Sequence, residues 1–185
     1  MTINRQSSLA DVCFAVAGAL EAHGIAAVLT GGSAATLYAP HVYASLDADF
    51  VLDRDEPLDE IAAALAPIGF RRNGRSRIFA HSKTEYTVDF PRGPLAVGGD
   101  YVYETASLTL GDTSLRILSR SDCIRDRLAH FYHWDDYTAL NAAVGVAVAS
   151  PVDVDMGTIR AWSAREGHIE KFSEFEHRLV QGHNT

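Results

Sequence analysis

The sequence predicts an α/β (α+β) fold, with an α/β domain over residues 1–118 followed by a helical region over residues 119–185. Three observations predict it. Apolar residues recur at helical spacing over Leu9 to Leu20 and again over Leu58 to Ile68. Between and after them stand short apolar or alternating runs of strand length, with Gly-rich turns. From Ser119 the strand signals stop and four helical patterns follow one another. A chain of 185 residues suits one good-sized domain, or a smaller one with a helical extension.

Bulk properties narrow the function classes. Hydrophobic content of 47% and charged content of 22% are ordinary for a globular protein. A net charge of −8 argues against a broad, non-specific grip on nucleic acid, which needs basic surface. Cys13 and Cys123 are far apart and lack CxxC spacing, so neither a zinc knuckle nor a redox pair is expected. No apolar run reaches the ~18 residues of a membrane span, and MTINRQSSLADV has no signal-peptide core. The expectation is a soluble cytoplasmic protein with no membrane partner.

Ser7 or Ser8 caps a first helix of about fifteen residues, whose Leu9, Val12, Cys13, Val16, Ala19 and Leu20 form one apolar stripe ended by Gly24. Ala26 to Thr30 is a continuous apolar strand of the kind buried on both faces. Gly31 and Gly32 follow it at once. Glycine there permits positive φ and lets backbone N–H groups approach an anion. Ser33 then starts a short helix to about Tyr38, its N-terminus aimed at whatever the turn cradles, and Pro40 stops it.

The second strand, Leu46 to Leu52, carries Asp47 and Asp49. Strand alternation sends both to one face while Leu46, Ala48 and Phe50 face the core. Aspartate is depleted inside strands, and two on one face repel each other, so a bound cation is the expected counter-charge. Pro57 opens the next helix. Asn73-Gly74 then centres a hairpin over Phe70 to Phe79, where Arg71, Arg72, Arg75 and Arg77 form the one dense basic cluster, read as a solvated tip or a phosphate-contacting loop.

Glu85 to Phe90 is a further strand, with Asp89 opposite the apolar side chains of Tyr86, Val88 and Phe90. Two more strands surround Gly111-Asp112, after a loop-rich stretch at Gly98-Gly99. Ser119 caps an amphipathic helix with Ile124, Leu128, Phe131 and Tyr132 inward. A second helix covers Asp135 to Ala149, a third is capped by Asp155 and closed at Gly167, and a last one runs to about Gln181, before a frayed tail.

Gly31-Gly32-Ser33, then Asp47-Ala48-Asp49, then Asp89 between Val88 and Phe90 resemble the signature of the DNA polymerase β-like nucleotidyltransferase superfamily. The resemblance covers about sixty residues. The short chain and helical C-terminal half look most like the minimal bacterial nucleotidyltransferases related to abortive-infection toxins. The resemblance implies a mixed β-sheet nucleotidyltransferase core flanked by helices, Mg²⁺ (or Mn²⁺) dependence, an NTP donor, and a hydroxyl acceptor on RNA, protein or a small molecule. It also implies a toxin–antitoxin role with an antitoxin partner. Asp47, Asp49 and Asp89 would be metal-binding and catalytic residues. Gly31, Gly32 and Ser33 would contact donor phosphates, joined by Arg127, with Arg125 as the lesser candidate. No lysine follows the Gly-Gly turn, which departs from the pattern.

Two other readings of the residues stand beside this one. Asp126, His130 and His133 share a helical face and could ligate a transition metal. The fold could also serve as a catalytically silent binding module or antitoxin-type partner.

Overall fold

The first helix starts at a reciprocal cap: Ser8 Oγ accepts from Asp11 N–H at 3.2 Å, and the Asp11 carboxylate accepts from Ser8 N–H at 2.8 Å. This fixes α1 (Leu9–Glu21), 13 residues long. The structure, a computed structural model, describes residues 2–72 and 74–182. Asn73, half of the expected hairpin turn, and residues 183–185 of the tail lie outside the described residues.

After α1 come β1 (Ala27–Thr30), α2 (Gly31–Tyr38), β2 (Asp47–Leu52) and α3 (Leu58–Leu65). Seven strands follow: β3 (Phe70–Arg72), β4 (Ile78–His81), β5 (Thr87–Asp89), β6 (Ala96–Val97), β7 (Asp100–Tyr101), β8 (Thr105–Leu110) and β9 (Thr113–Leu118). The chain ends in α4 (Arg120–Trp134), α5 (Tyr137–Ala149), α6 (Met156–Arg165) and α7 (Ile169–Gly182). The main sheet is mixed, in the order β3-β4-β5-β2-β1-β9-β8, and β6-β7 form a separate hairpin. β1 lies between antiparallel β2 and parallel β9, which explains why Val28 and Leu29 are fully buried.

One hydrophobic core runs from α1 and the sheet into the C-terminal helices, including Leu29, Phe50, Val88, Leu128, Leu140 and Trp162. α1 packs on β1, β2 and β9, while α2 packs on β1, β2, α4 and α5. The phenol of Tyr38 at the end of α2 donates to Leu118 O at 2.7 Å, joining that helix to the last strand.

Four details differ from the sequence expectations. α2 begins at Gly31, two residues before Ser33, because Gly31 turns the chain at φ 64° and both glycines enter the first helical turn. Leu46 is 54% exposed just ahead of β2 and does not face the core. The Gly98-Gly99 stretch is the turn of the β6-β7 hairpin. α5 starts at Tyr137, because the Asp136 carboxylate caps Thr138 and Ala139 N–H while Asp135 takes a left-handed φ of 52°.

Candidate active site

β2 and β5 run parallel, with Asp47 opposite Thr87 and Asp49 opposite Asp89. Paired residues on neighbouring strands share a face, so these four stand together on the side away from buried Ala48 and Val88. The Thr87 hydroxyl donates to Asp47 Oδ1 at 2.5 Å, and Phe90 N–H donates to Asp89 Oδ1 at 2.7 Å. Among the described residues, no hydrogen-bond donor reaches the Asp49 carboxylate. Burial, then the charges of Asp89 and Asp47, push its pKa up to about 6, and the Arg127 guanidinium pulls the other way.

The Gly-Gly turn is glycine for a reason visible within the chain. A Cβ on Gly31 would lie 2.5 Å from Asp49 Oδ2, at a backbone φ that disfavours side chains anyway. A Cβ on Gly32 would meet the Tyr43 ring at 3.0 Å and Ser45 Oγ at 3.3 Å. The two glycines let Asp49 and Tyr43 close onto the turn. Ser33 is fully buried behind it: its hydroxyl donates to Thr30 O at 2.7 Å and accepts from Asp49 N–H at 3.2 Å. It ties α2 to β2 and does not line the cleft.

That cleft has a volume of about 480 Å³. Gly31, Gly32, Tyr43, Ser45, Asp47 and Asp49 line it from the sheet side, and Asp126, Arg127 and His130 line it from α4. Pro91, Arg92, Pro94 and Leu95, between β5 and β6, and Ala96 at the start of β6 add a further wall. Arg127 is buried and donates to Asp126 Oδ2 from Nη2 at 2.7 Å and from Nε at 3.0 Å. Burial, then the Arg127 charge, lower the pKa of half-buried His130, which keeps the imidazole neutral at pH 7.

No protein-family model matches the sequence, and no curated protein sequence matches it. The backbone is similar to that of an antigenic nucleotidyltransferase-like protein from Paracoccidioides brasiliensis, with a TM-score of 0.66 at 14% identity. That superposition covers 96% of this chain and 94% of the other. It is also similar to the antibiotic-resistance factor ANT(2'')-Ia, with a TM-score of 0.53 at 12% identity over 86% of this chain and 94% of that one. The chain shares its fold with both proteins.

On this fold the expected residues divide. Asp47, Asp49, Gly31, Gly32 and Arg127 all line one cleft, and Asp89 pairs with Asp49 beside it. Arg125 is elsewhere: it donates to Asp122 at 2.8 Å and Asp100 at 2.7 Å, with its guanidinium over the Trp162 ring. The arginine hairpin is largely committed to structure. Arg71 donates to Ala66 O and Phe70 O, Arg72 pairs with Asp59, and Arg77 donates to Phe90 O. The His133 ring lies 5.2 Å from that of His168, and Asp126, His130 and His133 form no metal cluster among the described residues.

The oxygen donors of Asp47, Asp49 and Asp89 suit a hard divalent cation, which would offset the cost that burial, then the charges of Asp89 and Asp47, place on the Asp49 carboxylate. Among the described residues, no three His, Cys, Asp or Glu side chains converge on one metal position. Mg²⁺ is ordinarily held by one or two carboxylates, with substrate phosphates and water completing its octahedron, so a closed three-ligand cage is not required. Tyr43, Ser45 and Arg92 joined the cleft without a sequence signal. They sit in loops where no periodicity operates.

Proposed function

We propose that this protein is a metal-dependent nucleotidyltransferase that transfers an NMP from an NTP to a hydroxyl acceptor on RNA, protein or a small molecule. The observation that carries the reading is the Asp47–Asp49 pair set against the Gly31-Gly32 turn and Arg127 in one cleft, with Asp89 paired to Asp49 beside it. Asp47 and Asp49 would hold Mg²⁺ or Mn²⁺, with Asp89 beside them. The ion supplies charge neutralisation for the donor phosphates when bound. Arg127 and the α2 N-terminus provide positive potential for the same phosphates. Asp89, next to Asp49, is suited to receive the acceptor's hydroxyl proton as its oxygen attacks the α-phosphorus and pyrophosphate leaves. The antibiotic-resistance factor keeps a small-molecule acceptor in view. A toxin role with an antitoxin partner extends the reading to biology, and growth arrest on induction that Asp49→Asn abolishes would support it.

The engagement of the Arg127 guanidinium by Asp126 through both Nε and Nη2, which leaves that cation already paired, favours a second reading, a catalytically silent module of the same fold. Thermal melting with Mg²⁺ and each NTP separates the two. A ligand at ~100 times its dissociation constant stabilises by about 2.7 kcal/mol, several degrees at this chain length. The active reading expects that shift for at least one NTP, its loss in Asp47→Asn/Asp49→Asn, and pyrophosphate release with an acceptor. No shift with any NTP overturns it.

A further inference from the structure

α4 does more than deliver Arg127 to the cleft. His130 follows at three residues' distance and lines the same cleft, and Trp134 follows His130 at four. Spacings of three and four keep all three on one helical face, and seven residues carry that face about 10 Å along the axis. Trp134 is 69% exposed. Its indole lies 5.0 Å from the His130 ring and 5.8 Å from the His133 ring, measured between centroids. The chain's other tryptophan, Trp162, is fully buried and packs on Tyr132. This face of α4 therefore presents a cation and a neutral imidazole to the cleft and, packed against that imidazole just beyond the cleft lining, an exposed aromatic plane.

We propose that α4 reads the donor nucleotide along this face, with Arg127 at the phosphates, His130 at the sugar and Trp134 as the stacking platform for the nucleobase. The proposal rests on the NTP-donor reading above and adds the part of the nucleotide that reading leaves unassigned. The order follows from charge. The phosphates belong beside Arg127 and the carboxylate face, and from there the same face of α4 carries His130 and then exposed Trp134. An indole accepts any base through its π-face, so the platform supplies affinity without choosing among the four bases. Choice would then fall to other groups near the base.

Isothermal titration of the full chain with Mg²⁺ and each NTP, beside Mg²⁺ and tripolyphosphate, tests this. Tripolyphosphate has the phosphates and no base. Trp134→Ala is expected to weaken NTP binding about 10-fold while leaving tripolyphosphate affinity unchanged. Trp134→Phe, which keeps a ring, should retain most of the affinity. Equal NTP affinity in wild type and Trp134→Ala would overturn the platform and leave the donor reading intact. Equal loss for NTP and tripolyphosphate would also overturn it, since that marks a disturbed helix. If wild type binds neither ligand, the donor reading itself fails and the platform with it.

Discussion

Burial and two neighbouring carboxylates keep Asp49 protonated up to about pH 6 in the native state, against about pH 4 for an aspartate in the unfolded chain. Between those values the native state binds more protons than the unfolded one, so stability falls as pH rises through that window. Above it the full cost remains. Asp49→Asn removes the charge at similar volume, so its urea midpoint at pH 7.5 should exceed that of wild type by the equivalent of about 1–3 kcal/mol. The advantage should vanish below about pH 3, where the wild-type carboxyl is neutral in both states. A variant less stable than wild type at pH 7.5 would mean that Asp49 is better compensated than its surroundings indicate. The same substitution should abolish transfer, a combination expected where electrostatic strain is kept for a bound cation.

Element by element, the sequence was most legible where a repeating pattern meets a chemical stop. Ser8 with Asp11, Ser119 with Asp122 and Asp155 with Thr158 all cap helices as their residue types imply. The Asp47–Asp49 face was legible because alternation along β2 is a backbone property, and Asp89 followed from the same rule on β5. What alternation could not supply is which strands are neighbours: the β2-β5 pairing brings together residues forty positions apart. The cleft wall over Pro91 to Ala96 was illegible for the same reason. A buried cation holds the hairpin that follows it: Arg125 donates to Asp100 on β7, Arg165 donates to the same carboxylate, and Gly99 N–H donates to Glu166. Arg125→Ala would leave Asp100 and half-buried Asp122 without that guanidinium. It should destabilise the protein by about 3 kcal/mol, read from denaturant midpoints. A loss under about 0.5 kcal/mol, as for an exposed pair, would show that the hairpin is held by other contacts.

At the scale of the molecule, the division at residue 118 marks a change of secondary structure but not a break in the core. Leu118 is buried at the end of β9, and its carbonyl accepts from Tyr38 on α2. Ala34, Ala35 and Tyr38 are buried, on a helix packed against α4 and α5. Removing residues 119–185 would return that surface to water and would also remove Arg127 and His130 from the cleft. α2 would then expose a contiguous apolar face to water. The full chain should therefore melt in a single calorimetric transition with equal calorimetric and van't Hoff enthalpies. The enthalpy should be near 130 kcal/mol at about 60 °C. A fragment of residues 1–118 should show no cooperative transition. Two resolved transitions in the full chain, or a cooperative melt of the fragment, would establish independent folding units and make the cleft an interface between them. A single transition would instead mean that the Asp47–Asp49 face and α4 form together, so the two walls of the cleft are fixed by one folding event.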